Sequence, residues 1–92
     1  MPSIKTFQRQ VRRLEGFEVR VLHRDGRDVR DDMRIEVDYP YSRAAADNIT
    51  VAEWRRRRAG TTLAGFDIAV LGPLGTPMHG GHLLESVRAM YR

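Results

Sequence analysis

The sequence predicts an α+β fold in which two related helix–strand units form one small domain. The first indication is an internal repeat: the segments that begin at Ser3 and Thr50 carry the same order of hydroxyl, apolar, aromatic and glycine residues. The second is a set of short segments that alternate apolar and polar residues, as half-buried strands do. The third is apolar spacing of three and four residues elsewhere, which predicts helices that pack through one face.

The repeat matches residues of like chemistry. Phe7 corresponds to Trp54, and the pair Gly16-Phe17 corresponds to Gly65-Phe66. Two extra residues precede the leucine of the second copy, at Leu63. This correspondence predicts two units that share one type of local structure and are related by a pseudo-twofold axis.

The unit boundaries follow from the repeat. We expect units at about 3–41 and 50–91, joined by a linker at 42–49, within a single domain at 1–92. Because a chain this short buries only about 60% of its unfolded surface, neither unit is expected to hold a core alone. The sheet is expected to be antiparallel or mixed and covered by helices on one face.

Helices are predicted over residues 3–14 and 50–60. Ser3 is a suitable N-cap for the first helix, and Thr50 opens the second within a capping box. Gly16 stands where a glycine commonly ends a helix.

Strands are predicted over residues 17–30, 33–41 and 66–71. The first is interrupted by Asp25-Gly26, a pair typical of hairpin turns. The third is apolar on both faces, so we expect it to be the central strand. Pro40 cannot donate a ladder hydrogen bond, so the second strand either ends there or lies at an edge.

The last segment, residues 81–91, conflicts with the repeat. Its apolar residues have helical spacing, whereas the equivalent segment at 33–41 alternates as a strand does. Either the two copies have diverged here, or one of the two interpretations is wrong.

Composition narrows the class of protein. The 92 residues are 41% hydrophobic and 30% charged and include no cysteine. We therefore expect no disulfide and no thiolate metal site. The absence of cysteine also makes the reducing cytoplasm the expected location. No apolar run reaches the roughly 20 residues of a membrane span, so no membrane partner is expected.

A cationic surface is the main candidate for function. The net charge is +4, and all but one of the 16 basic residues are arginine, which reflects either anion recognition or coding bias. Helical spacing places four cations opposite the first apolar stripe: Lys5, Arg9, Arg12 and Arg13. A transit peptide is also rich in arginine, but a cleavable leader has no reason to match an interior helix.

The second helix adds Arg55 and Arg56 to this predicted surface. They belong to a tract of four arginines that fans around the helix and suits the C-terminal end of the helix dipole. Arg56 corresponds to Arg9 in the repeat, so the two basic faces are expected to merge if the helices lie side by side.

Other clusters offer weaker candidates. His79 and His82 have a spacing that can share a metal ion, but Gly80-Gly81 favours a loop, and only Glu85 and Asp67 suggest themselves as further ligands. Asp31-Asp32 is interpreted as an exposed, screened acidic pair rather than a catalytic one. Tyr39-Pro40-Tyr41 suits either an interface or the core.

These observations predict a small, non-enzymatic binding protein that needs no cofactor. It would dock on another macromolecule through its arginine-rich helical surface, with a protein partner favoured and a nucleic acid as the alternative. A homodimer is also open. Short, arginine-rich chains of this kind are common among bacterial accessory and mobile-element genes.

Overall fold

The chain begins with a helix that lies against the strand following it. Helix α1 spans Ile4–Glu15 and strand β1 spans Glu18–His23. The Ser3 hydroxyl caps the helix by accepting the N–H of Thr6 at 3.2 Å, and Gly16 ends it with φ +86°. The computed structural model describes residues 2–30, 32–35 and 37–92.

The second helix, α2, contains a π-helical turn. It runs through three consecutive parts, Val51–Trp54, the π-helical Arg55–Ala59 and Gly60–Thr62. In the π turn the N–H of Gly60 donates to the carbonyl of Arg55, five residues back. Such a turn admits one additional residue into a helix. Ala59 consequently faces the core and is almost fully buried.

Strand β2 spans Phe66–Leu71 and pairs antiparallel with β1. Arg20 faces Ala69 at the centre of the ladder, and these two residues are matched positions of the sequence repeat. The paired residues on the buried face are Val19 with Val70 and Val21 with Ile68. The opposite face carries exposed charged residues, as expected for a sheet with one wet side.

The hairpin predicted within residues 17–30 forms only its turn. Gly26 has φ +90°, and its N–H donates to the carbonyl of His23 at 2.9 Å. After the turn a single bridge joins Leu22 to Asp28. The prediction of a second strand in this hairpin is therefore wrong, because β1 pairs with β2, which is distant in the sequence. Because the described sheet has two strands, the expectation that 66–71 is a central strand is also wrong.

The strand predicted over residues 33–41 is not found among the described residues, and Glu36 lies outside them. Arg34 makes one isolated bridge to Ser3. Tyr39 instead turns into the core, and its N–H donates to the side-chain oxygen of Gln10 at 2.9 Å. Of the four alternating apolar residues, Ile35 and Tyr39 are buried, whereas Met33 and Val37 are exposed. The alternation therefore belongs to an extended segment without a ladder, and only half of its apolar residues reach the core.

The helix predicted over residues 81–91 is present as α3, Leu84–Met90. Its buried residues are Leu84 and Val87. The described residues therefore form an α+β fold with three helices and one two-stranded antiparallel sheet.

One hydrophobic cluster draws residues from both predicted units. Phe7, Phe17 and Trp54 are fully buried within it. Phe17 meets Trp54 edge to face, with ring centroids 5.1 Å apart, a geometry that aromatic pairs favour. The residue that precedes β1 therefore packs directly against α2. No helix within the described residues has the length and apolar character that crossing a bilayer requires.

Replacing Gly16 with alanine should destabilise the protein by about 1–2 kcal/mol, because a Cβ disfavours the left-handed conformation at this residue. Urea denaturation would measure the loss. Gly16→Asn is the matched control, since asparagine tolerates this conformation better, and equal losses in both variants would contradict the explanation.

Candidate functional site

A cationic groove lies between α1 and β1, and we call it the α1 groove. It has a volume of about 410 Å³. Its basic lining residues are Lys5, Arg9 and Arg12 from the helix and Arg20 from the strand. Glu18 is the acidic residue among those that line it. Four cations therefore face one carboxylate around an open cleft.

The free cations of the α1 groove are Lys5 and Arg9. Both side chains are exposed, and neither makes an ion pair or hydrogen bond to another described residue. Arg20 approaches Asp28 only to 3.7 Å, with both side chains largely exposed. Such contacts contribute little to stability, so these side chains are available to a ligand.

Arg12 has a structural role as well. Its guanidinium donates to the carbonyl of Gly16 at 3.0 Å and lies 4.5 Å from the ring centre of Tyr91. The Tyr91 hydroxyl in turn donates to the carbonyl of Leu71 and accepts the N–H of Glu18. Arg12 thus joins the end of α1 to the C-terminal segment at one end of the groove.

A smaller groove, the α2 groove, lies between α2 and β2. Its volume is about 280 Å³. Arg55 and Arg56 line it, but Arg55 donates to the carboxylate of Asp67 at 2.7 Å. The positions that hold Lys5 and Arg12 in the other groove are occupied on α2 by small residues, among them Ala52. Arg56 is the cation of this groove that carries no ion pair to a described residue.

The six predicted binding residues are therefore distributed over three places. Lys5, Arg9 and Arg12 share the α1 groove, and the two arginines of α2 line the other groove. Arg13 lies apart from both, beside Tyr39 and Tyr41 in a third depression of about 280 Å³.

The sequence analysis did not predict a buried carboxylate, which is Glu15. Its side chain is fully buried. Arg58 and Arg88 donate to it at 2.8 and 2.9 Å. The Tyr39 hydroxyl and the Ala45 N–H donate to it at 2.5 and 2.8 Å. Four donors from three segments of the chain thus satisfy one carboxylate.

A signal for this site was present in the sequence. Glu15 lies four residues after Val11, so it continues the apolar stripe of α1 rather than its polar face. A charged residue on a buried stripe requires partners. The partners themselves come from distant segments, and periodicity does not identify them.

The surroundings of Glu15 shift two titrating groups. Burial, with the hydrogen bond to the Glu15 carboxylate, raises the pKa of Tyr39 well above its ordinary value. For Arg58, burial opposes the charged form, but interactions with Tyr39 and Glu15 outweigh it and raise its pKa. Both shifts favour the protonated groups that hold the carboxylate in place.

The two candidate metal ligands, His79 and His82, lie near each other on the surface. No group of three metal-ligating side chains occurs among the described residues. His79 and His82 are both exposed, with ring centres 6.3 Å apart. The Nδ1 atom of His79 accepts the N–H of Gly81 at 3.0 Å, which shapes the loop. Glu85 is exposed on α3, and Asp67 is held by Arg55.

The acidic and aromatic candidates have structural partners. Asp32 pairs with Arg30 at 2.9 Å on the surface, and Asp31 lies outside the described residues. Tyr39 is buried in the core. Tyr41 is half-buried beneath the guanidinium of Arg58, 4.2 Å from its ring centre.

Comparisons with known proteins found no matching family model, curated protein or solved structure. The geometry of the chain itself therefore carries the functional argument.

Replacing Glu15 with glutamine should destabilise the protein by about 3–5 kcal/mol, because Arg58 and Arg88 would lose the charge that compensates their burial. Chemical denaturation would measure this. The matched control is Asp32→Asn, which removes an exposed ion pair and should lose less than about 1 kcal/mol. Similar losses in the two variants would contradict a special role for Glu15.

Replacing Tyr39 with phenylalanine should lower stability at pH 8 by about 1.5–3 kcal/mol, the range for a hydrogen bond to a charged group. The raised pKa of Tyr39 means that the folded chain keeps a proton that the unfolded chain releases above about pH 10. The wild type therefore loses this stability as the pH rises beyond 10, and the variant does not.

The difference in the free energy of unfolding between wild type and Tyr39→Phe should consequently become smaller from pH 9 to 11, as measured by urea denaturation. Tyr41→Phe serves as the control, since Tyr41 lacks the contact with Glu15. A Tyr39→Phe gap that stays constant to pH 11 would contradict the expected linkage.

Proposed function

We propose that this chain is a non-enzymatic binding protein that docks on an acidic protein through the arginine-rich surface of α1 and α2. The observation that carries the proposal is the α1 groove, where Lys5 and Arg9 face solvent without ion pairs to described residues. Cations left unpaired around a cleft favour an anionic partner and speed its association. A cytoplasmic setting is part of the proposal and fits a chain that lacks cysteine.

A protein partner is favoured over a nucleic acid by the composition of the grooves. Proteins that bind single strands stack bases on aromatic rings, and the α1 groove has no aromatic residue among those that line it. The net charge of +4 is modest for a chain that relies on phosphate contacts.

We further propose that the two units descend from a duplication and are related by a pseudo-twofold axis. Supporting this, the N–H of Ile4 donates to the carbonyl of Met33 at 2.9 Å, and the matched N–H of Val51 donates to His82 at 2.8 Å. The central ladder pair, Arg20 with Ala69, joins two matched positions. The axis would place the two grooves at equivalent sites around the sheet.

Affinity capture from the native cells tests the docking proposal. The bait variant Lys5→Glu/Arg9→Glu/Arg56→Glu should lose the captured protein, because it reverses cations that have no ion pair to described residues. The matched control is Arg24→Glu/Arg43→Glu/Arg92→Glu, which reverses exposed cations that belong to neither helix and line neither groove. Each variant reverses three charges, so each changes the net charge by six, from +4 to −2.

We expect that wild type and the control variant both capture the same protein, and that the Lys5→Glu/Arg9→Glu/Arg56→Glu variant, called the helix variant, does not. Retention by the helix variant would contradict docking through this surface. If nuclease treatment releases the captured protein, the contact is made through a nucleic acid, and nucleic-acid binding is the function instead of docking on a protein.

A further inference from the structure

We infer that the α1 groove is the recognition site for an extended acidic peptide segment, and that the α2 groove has no equal share in binding it. This inference rests on the proposed docking function and assigns its ligand chemistry. Lys5, Arg9 and Arg20 supply the charge, while Val19 and Leu71, which also line the groove, are almost fully buried and add little apolar surface. Carboxylates are therefore the groups that this lining can recognise.

The spacing of the cations suits carboxylates on a polypeptide. Lys5, Arg9 and Arg12 follow one another at four and three residues along α1, which corresponds to rises of about 6.0 and 4.5 Å. Alternate side chains of an extended peptide lie about 6.6 Å apart on one face. Such a segment can place its carboxylates opposite successive cations and direct the intervening side chains elsewhere.

The wall of the groove is also held in place. The side-chain oxygen of Gln8 accepts the N–H of Val21 at 2.9 Å, which ties α1 to the open edge of β1. At the far end, Arg12 is fixed by the carbonyl of Gly16 and the ring of Tyr91. A groove already formed before binding loses less conformational freedom when it takes a ligand.

The α2 groove also lies between a helix and a strand, but it lacks the row of available cations. The residue that corresponds to Gln8 is Arg55, and its guanidinium is engaged by Asp67 at 2.7 Å. Ala52 stands where the other groove has Lys5. Since Arg56 is the one cation without an ion pair among the described residues that line this groove, the groove offers one site for an anion instead of a row.

Fluorescence anisotropy with a labelled peptide of alternating glutamate and leucine tests this inference on the intact protein. Lys5→Glu/Arg9→Glu should weaken binding at least tenfold. The charge-matched control Arg24→Glu/Arg43→Glu should remain within about twofold, because both residues are exposed and outside the grooves. Circular dichroism and thermal melting would establish that each variant is folded.

Two further comparisons separate the grooves and the ligand classes. Arg9→Glu should weaken peptide binding several times more than Arg56→Glu, its matched position in α2. A peptide with glutamine in place of glutamate should bind at least tenfold more weakly. Equal losses at Arg9 and Arg56, an equal loss in the Arg24/Arg43 control, or no binding of the glutamate peptide by the wild type would overturn the inference.

A single-stranded oligonucleotide of mixed sequence completes the test. Tighter binding of this probe than of the peptide, with the same dependence on Lys5 and Arg9, would overturn the peptide assignment in favour of phosphate recognition. If peptide binding fails while the Lys5→Glu/Arg9→Glu/Arg56→Glu variant still loses the captured protein, that result contradicts the assignment of the groove but supports the docking function. If this variant retains the captured protein, the docking function itself is contradicted.

Discussion

The arrangement of the chain depends on the burial of one negative charge. Glu15 stands at the end of α1, and its carboxylate is reached by donors from the 37–45 segment, from α2 and from α3. Removing an ionised carboxylate from water is strongly unfavourable unless its hydrogen bonds are replaced. Every one of these segments must therefore be in place at the same time, which couples the two halves of the chain.

This coupling reaches the cationic surface. Arg88 donates both to the carboxylate and to the main-chain carbonyl of Glu15, the latter at 2.7 Å, so the last turn of α1 is anchored to α3. The same turn carries Arg12, whose guanidinium rests on Tyr91. The buried charge network thus fixes the end of the helix that presents the exposed cations. The contacts that compensate the buried negative charge of Glu15 therefore also hold in place the helix that carries the exposed positive charges.

Local structure could be predicted from the sequence, whereas contacts between residues distant in the sequence could not. The N-caps at Ser3 and Thr50 and the glycine stop at Gly16 each depend on neighbouring residues, and all three are present. The partner of β1 was misassigned because Asp25-Gly26 does make a turn, whereas the choice of β2 is decided by burial across the core. The lining of the grooves was partly foreseen, since helical spacing groups the cations of α1. The contribution of Arg20 required knowledge of how the strand lies against the helix.

The π-helical turn in α2 has a consequence for how such a chain tolerates change in length. An ordinary α-helix rotates by about 100° for each residue, so one inserted residue would swing everything after it around the axis. The widened turn absorbs the surplus locally, keeps Ala59 inward and lets Arg58 reach across to Glu15. Removing that surplus residue would restore an ordinary α-helical turn and leave the residues that follow facing as they do now. The register of the arginine tract, more than the number of its charges, is what the interior constrains.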